Sequence, residues 1–369
     1  MTKLEYGRFF LPGPTEVEPA TLAAMTEPVI GHRGEEIREL IGRLQPRLGS
    51  LFGTARPVYI STSSATGMME AAITNLSRKR VLCLVCGAFS QRFYDIAAGC
   101  GRPADRLAVE WGEANLPEEV RDVLAAQPDR YDLVTVVHSE TSTGVLNPIR
   151  EIARIVHEFE DVLLAVDTVS SMAGAPVRTD EWELDFVLTG AQKALALPPG
   201  ISLAAASEAA LSRAREIEHR GFYFDLLNFE KHAANRMTPT TPAVSILFAL
   251  LHQLRRICEE GLEERWARHQ AMADRTHAWV EELATSTGRS FGVVAAAEYR
   301  SPTVTGVRLP DPSLMDGPEV VRRVRERGYV VAAGYGKLKK ESIRIGHMGD
   351  HTLDQLEDLL AELTEAMST

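Results

Sequence analysis

From residue 80 onward the chain alternates short runs that are apolar at nearly every position with longer runs whose apolar residues recur every three or four. "RVLCLVCG" (80–87), "RLAVEWG" (106–112), "YDLVTVVHSE" (131–140), "DVLLAVDTVSS" (161–171) and "LDFVLTGAQKA" (184–194) are strand-like. "QRFYDIAAGCG" (91–101), "LPEEVRDVLAAQ" (116–127) and "PIREIARIVHEFE" (148–160) are helical, and "ISLAAASEAALSRAREIE" (201–218) reads as a strand running into a helix. Strands apolar on both faces, alternating with helices, predict an α/β fold: a mostly parallel central sheet with helices on both faces. The Thr/Pro-rich "RMTPTTPAVS" (236–245) interrupts the alternation and reads as a hinge, followed by a long amphipathic helix to about residue 281. "PTVTGVRL" (302–309), "GYVVAAG" (328–334) and "SIRIGHMG" (342–349) are strand-like, and "LDQLEDLLAELTEAM" (353–367) is helical, which predicts a smaller α+β C-terminal domain.

Composition narrows the role without changing the fold. Of 369 residues, 45% are hydrophobic and 25% charged, enough for two cores and without a signature of disorder. Forty Lys and Arg against 51 Asp and Glu leave a formal charge of −11, which argues against a nucleic-acid or anionic-membrane partner and for a small-molecule role. "MTKLEYGRFFLPGP" lacks the basic-then-apolar layout of a signal peptide, and no apolar run approaches the roughly 20 residues that span a bilayer, so a cytoplasmic location is expected. Cys83 and Cys86 have C-x-x-C spacing, but residues three apart on a strand point to opposite faces and cannot share a metal. No second pair completes a site; both are expected in the core, with no metal.

In open parallel sheets, ligands bind outside the carboxyl ends of the strands. The predicted strands end in His138, Ser139, Glu140 and Thr141, in Asp167 and Thr168, and, a few residues on, in Gln192 and Lys193. An acid and a base at the ends of neighbouring buried strands are each costly without a partner or ligand. Asp167 and Lys193 could pair with each other, or Lys193 could snorkel to solvent. Three further features weigh toward a ligand. In "STSSATGMMEAAI" (61–73) small hydroxyl residues open a helix, and backbone N–H groups beside Ser64 and Thr66 make either a phosphate cradle or an ordinary N-cap. The stretch is neither a Walker loop nor G-x-G-x-x-G, which disfavours nucleoside triphosphates and dinucleotides. Phe89, after a strand end, could cover a planar ligand or belong to the core. Arg344, inside the apolar strand of "ESIRIGHMGD", wants a planar anion, either a ligand carboxylate or an internal one.

A ligand with a phosphate, a flat ring, a basic ring nitrogen and an aldehyde uses every one of these groups, and pyridoxal 5′-phosphate is that ligand. Lysine condenses with the aldehyde as a Schiff base, aspartate keeps the ring nitrogen protonated, an aromatic stacks on the ring, and a helix start takes the phosphate. Burial of Lys193 then serves the chemistry, since desolvation lowers the pKa of its amine.

Over nearly its whole length the sequence resembles the class V pyridoxal-phosphate aminotransferases of the alanine–glyoxylate and serine–pyruvate type. "PGPTEVEP" (12–19), "SSATGMMEA" (63–71), "GAFSQR" (87–92), "HSETSTGVLNPI" (138–149), "DTVSSMAG" (167–174), "GAQKALALPPG" (190–200), "TPTTPAVS" (238–245) and "IRIGHMG" (343–349) fall in that family's order and spacing. The resemblance implies the fold type I architecture of pyridoxal-phosphate transferases. Its expected parts are an N-terminal segment (1–15) packing on the small domain, a large cofactor-binding domain (16–250), and a linking helix with the small C-terminal domain (251–369). It implies that Lys193 carries the Schiff base and Asp167 pairs with the pyridine nitrogen. Phe89 stands where the family places a stacking aromatic, often tryptophan. Ser64, Ala65 and Thr66 occupy the phosphate turn, with Ala65 where glycine is usual, and Met68, where alanine is frequent, is expected to reshape that region. Thr141, Val169 and Gln192 match cofactor-contacting positions, and Arg344 matches the arginine that holds the substrate α-carboxylate. Thr238 and Thr241 match residues that reach the partner subunit's phosphate, which implies a homodimer with shared sites.

The implied reaction is a two-stage amino transfer from a small amino acid such as alanine, serine or glycine to a 2-oxo acid such as glyoxylate or pyruvate. Phosphoserine or 2-aminoethylphosphonate transamination stands as an alternative, because Arg33 in "GHRGEE" (31–36) could meet a phosphate or a distal carboxylate, or could be a surface arginine. A cysteine desulfurase needs a reactive cysteine on a late loop, whereas the last cysteine, Cys258, lies in the helical "LRRICEEG". A catalytically idle relative kept as a binding partner is the reading from another class, and nothing about folding would require Lys193, Asp167 and Arg344 together.

Overall fold

The computed structural model describes residues 7–368. Seven strands form the central sheet: β1 (Tyr59–Ser61), β2 (Val81–Val85), β3 (Ala104–Ala108), β4 (Leu133–Val137), β5 (Leu163–Asp167), β6 (Phe186–Gly190) and β7 (Ser202–Ala206), in the order β1-β7-β6-β5-β4-β2-β3. The run from β3 to β6 is parallel throughout, and β7 lies antiparallel between β6 and β1. That antiparallel edge, absent from the sequence reading, has a simple cause. Parallel neighbours need a crossover of a dozen or more residues, usually helical, whereas residues 191–201 contain no helix and turn the chain straight back.

Alternation along each strand feeds two cores. Leu82, Leu84, Val134, Val136, Leu164 and Val166 pack on one side with the helix Glu35–Phe52, whose Ile37, Leu40, Ile41, Leu44 and Leu48 repeat at helical spacing. Val81, Cys83, Val85, Leu133 and Val137 face the other side, against α1 (Ala65–Leu76) and α2 (Ala88–Gly99). Both faces are thus apolar, as predicted for a buried parallel sheet. Cys83 and Cys86 are fully buried, and burial pushes both thiols up to about 12. Among the described residues no group of three or more His, Cys, Asp or Glu could hold a metal ion.

The C-terminal part is the expected α+β unit. Gly292–Val293, Thr305–Arg308, Ser342–Ile345 and Ala332–Ala333 form an antiparallel sheet in that order, and its core joins Val307, Ile343 and Ile345 to Trp279, Val324 and Leu360 from the covering helices. Near the other end of the chain, Arg8–Phe9 pairs in parallel with Tyr329–Val330; residues 1–6 of the expected N-terminal segment lie outside the described residues. Two expectations are corrected here. The long helix to about residue 281 is two helices, Val244–Glu260 and Leu262–Thr287, because Gly261 at φ +85° takes a backbone conformation that ends the first and caps the second. "GYVVAAG" is not one strand: Tyr329–Val330 and Ala332–Ala333 pair in different sheets. No helix among the described residues is long and apolar enough to cross a membrane.

Candidate active site

Asp167 is the last residue of β5, in register with Val137 of β4 and Leu188 of β6, so it opens at the carboxyl edge of the sheet. Lys193 sits three residues past β6, in a turn closed by bonds from Ala196 N to Lys193 O (2.8 Å) and from Leu197 N to Ala191 O (3.1 Å). Two charged groups are therefore delivered to one edge by two adjacent strands. They do not bond to each other. Asp167 Oδ1 accepts the Val169 amide at 2.8 Å, while Lys193 Nζ donates to the Pro12 carbonyl and lies 5.6 Å from the Phe89 ring centroid. Nor does the lysine snorkel, since only 8% of it is exposed, against 5% of Asp167.

Burial governs their ionisation. Desolvation pushes the Asp167 carboxyl up to about 6, against the opposing pull of the Val169 amide and of Lys193. Desolvation, reinforced by the Arg344 guanidinium, pulls the Lys193 ammonium down to about 7, although Asp167 and Glu140 favour its charged form. A buried amine near neutrality can act both as nucleophile and as base.

A cavity of about 170 Å³ opens between these groups. It is lined by Ser64, Ala65, Thr66, Phe89, Thr141, Asp167, Val169, Gln192 and Lys193, so nine residues singled out from sequence meet in one place. At one end stands the start of α1. Gly67 N donates to Ser64 O at 3.0 Å, and Ser64, at the N-cap, makes no side-chain cap, which leaves the amides of Ala65 and Thr66 as donors for a ligand. Thr141 Oγ1 is 2.6 Å from Ser170 Oγ, and the Gln192 carbonyl accepts from Thr15 N at 3.0 Å.

Arg344, 9% exposed, is not part of the cavity lining but is bonded from the small domain to Thr141, which is. Among the described residues it has no carboxylate partner: Nε donates to Ala333 O (3.1 Å), Nη1 to Thr141 O (3.2 Å), and the guanidinium lies 5.4 Å from the Tyr335 ring centroid. Burial draws its pKa down to about 10, so it stays charged and keeps Nη2 for an incoming anion.

Besides Arg344, three predicted residues stand apart from the cavity lining. Arg33 is exposed and donates to the carbonyls of Thr238 (2.8 Å) and Pro239 (3.0 Å). Thr238 Oγ1 is turned to Thr240 O (2.7 Å), and Thr241 Oγ1 lies 3.5 Å from His32 Nε2. Met68, on α1, is fully buried in the core, and its neighbour Met69 lines the cavity.

Sequence reasoning missed Arg92, whose guanidinium lies 4.9 Å from the Phe89 ring centroid and 3.4 Å from Thr66 Oγ1. Its only sequence signal is its place three residues after Phe89 on one helix, which puts both on the same face. Glu140 stood among the strand-end residues without a role. Its carboxylate is fully buried and accepts from Phe89 N, Ser90 N and Ser142 N.

The donor set fits pyridoxal 5′-phosphate. An acidic group with one hydrogen bond faces a cavity edged by an amine, an aromatic ring and an uncapped helix start, and Asp167, Lys193, Phe89 and α1 could hold its ring nitrogen, aldehyde, ring face and phosphate.

The profile of the family described as "Aminotransferase class-V" matches residues 24–334. An uncharacterised aminotransferase of Methanocaldococcus jannaschii is 39% identical over 348 residues, covering 92% of this chain and 87% of the relative. The serine–glyoxylate aminotransferase of Methylorubrum extorquens is 30% identical, covering 92% and 86%. Among solved structures, the alanine–glyoxylate aminotransferase of a Nostoc species superposes with a TM-score of 0.91 at 30% identity, covering 99% of this chain and 96% of that one. With the geometry of the cavity, these likenesses place the chain: it belongs to the class V aminotransferase family and is an enzyme of the transaminase type.

Proposed function

We propose that this chain is a pyridoxal 5′-phosphate-dependent aminotransferase that moves an amino group from a small amino acid of the alanine, serine or glycine type to a 2-oxo acid such as glyoxylate or pyruvate. The observation that carries the reading is the buried Lys193, brought by burial to about 7 and, among the described residues, bonded only to a backbone carbonyl, with Asp167 ending the adjacent strand. Bound cofactor would supply an electron sink conjugated to the substrate's α-carbon.

Everything else is the work of the chain. Lys193, as a free amine, would take the proton from the substrate α-carbon and deliver it to the carbon that carried the cofactor's aldehyde, across the intervening nitrogen. Asp167 holds a proton at the ring nitrogen, for which its shielded position and single amide bond suit it. Phe89 covers the ring face, while Ser64, Ala65 and Thr66 offer amides and hydroxyls to the phosphate, with Thr141, Val169 and Gln192 completing the wall. Arg344 takes the substrate α-carboxylate through Nη2 and so turns the α-hydrogen toward Lys193, a positioning role.

The 16–250 unit carries the cavity residues, 251–369 supplies the linking helix and small domain, and the described part of the N-terminal segment, from residue 7, packs on the small domain. Thr238 and Thr241, outside this chain's cavity, suit a homodimer in which each reaches the other subunit's phosphate, with Arg33 bracing their loop. The setting is cytoplasmic.

The test is the visible absorption spectrum of protein reconstituted with the cofactor, before and after alanine, serine, glycine, phosphoserine and 2-aminoethylphosphonate in turn, with Lys193→Ala as control. A lysine-dependent band discharged by one of the first three supports the reading. Discharge by phosphoserine or the phosphonate alone transfers it to phosphorylated donors, and no band at all sinks it in favour of an idle relative.

A further inference from the structure

Glu140 is a fully buried carboxylate that the proposed reaction does not use. It lies at the end of a short strand, Ser139–Glu140, and its two oxygens are crowded with donors. Oε1 accepts from Phe89 N (3.2 Å), Ser142 N (3.1 Å) and Ser142 Oγ (2.6 Å); Oε2 accepts from Ser90 N (2.8 Å) and Ser90 Oγ (2.9 Å). Ser142 Oγ in turn accepts from Ala88 N at 3.0 Å. The first turn of α2 is thus fastened to the segment 140–142, and closely: a Cβ on Gly87 would lie 2.5 Å from Glu140 Cγ and Cδ.

Two site residues hang on this fastening. Phe89, whose amide Glu140 holds, presents its ring to Lys193. Thr141, one peptide from Glu140, supplies the carbonyl that receives Arg344 Nη1 at 3.2 Å. We infer that Glu140 is a positioning residue that sets, through one carboxylate, both the aromatic cover of the cavity and the seat of the arginine that would receive the substrate carboxylate. The inference rests on the pyridoxal-phosphate reading above. A plain structural role would fix the fold at this point and leave the two functions independent; a shared anchor ties them together.

The anchor also carries charge. Around Lys193 stand Asp167 from β5, Glu140, Arg92 from α2 and Arg344 from the small domain. Glu140 favours the lysine's charged form, so removing its charge moves the amine's titration to lower pH.

Glu140→Gln keeps the size but turns an NH2 toward donors, leaving at least one buried amide unpaired. The full-length variant is compared with wild type for cofactor affinity by spectral titration, for donor KM separately from kcat, and for the pH profile of lysine-dependent cofactor capture. The expected result is a roughly tenfold loss of cofactor affinity together with a roughly tenfold rise in donor KM, the effect of one unsatisfied buried donor, with the capture profile displaced to lower pH. A variant that loses thermal stability yet keeps all three wild-type values overturns the inference. If Glu140→Gln does not fold, Ser142→Ala removes one hydroxyl from the same carboxylate, and a smaller loss in both properties is expected; an unchanged Ser142→Ala likewise overturns it. Absence of cofactor capture in wild type removes the reading and this inference with it, whereas normal wild-type capture with unaltered variants removes the inference alone.

Discussion

Asp167 accepts one amide bond at the mouth of a strand that is otherwise apolar on both faces, and Lys193 answers it from the next strand without touching it. These two were legible in the sequence for one reason: a charge that interrupts an apolar run has no cheap structural explanation. Arg92 and Glu140 were not. Arg92 sits in a helix with a mixed polar face, and Glu140 lies in a polar stretch where nothing local separates an anchor from a neighbour. Asp167→Asn should retain cofactor while turnover falls by orders of magnitude, since the amide cannot hold a proton at the ring nitrogen; turnover within a few-fold of wild type would refute the role. Arg344→Ala should raise the donor KM by roughly a hundredfold or more, the loss of a charge-assisted pair, with the lysine-dependent band intact. An unchanged KM would move the carboxylate seat elsewhere.

At the scale of elements, the alternation of strands and helices was readable because each period is local, while sheet order was not, because pairing is decided by distant partners. β7 shows the difference: its apolar run reads like its neighbours, yet it runs antiparallel between β6 and β1. The segment before residue 16 shows it again. Phe10 N donates to Val330 O, Gly346 N to Phe10 O, Thr15 N to Gln192 O, and Pro12 O accepts from Lys193, so a strap from the small domain ends on the site lysine. Gly13, at φ +118°, lies where a Cβ would overlap the Lys193 side chain. Gly13→Ala is therefore expected to cost about 1–3 kcal/mol of stability from backbone strain and to slow cofactor capture by Lys193 about tenfold. The midpoint of urea unfolding and the capture rate measured together decide it; a destabilised variant that captures at the wild-type rate would show that strap and lysine are not in contact in solution.

For the whole molecule the site is a standing cost that bound cofactor would relieve. The folded-state pKa of Lys193, about 7, lies below its ordinary 10.5, so the unfolded chain holds an extra proton between those values. Stability without cofactor consequently rises with pH across that window, and the penalty is complete below it. Asp167, raised from 3.8 to about 6, acts with the opposite sign: the folded chain holds the extra proton between those values, stability falls as pH rises through them, and the penalty is complete above about 6. Near pH 6.5 both are largely in force. Lys193→Met, similar in length and uncharged, should then stabilise the cofactor-free protein by on the order of 1–4 kcal/mol while abolishing cofactor capture, as expected where a site is built for chemistry rather than packing. Asp167 loses a favourable neighbour in that variant but can take up a proton, which limits the offset. Unfolding of both proteins across the pH range checks the sign twice. The gap should be at its full width below about pH 7 and close as the pH rises toward 10.5, where the wild-type lysine is uncharged in the folded state and losing its charge in the unfolded one. A gap that does not change with pH would assign the difference to packing of the longer stem, and a less stable Lys193→Met would show that the lysine is not held against its charge.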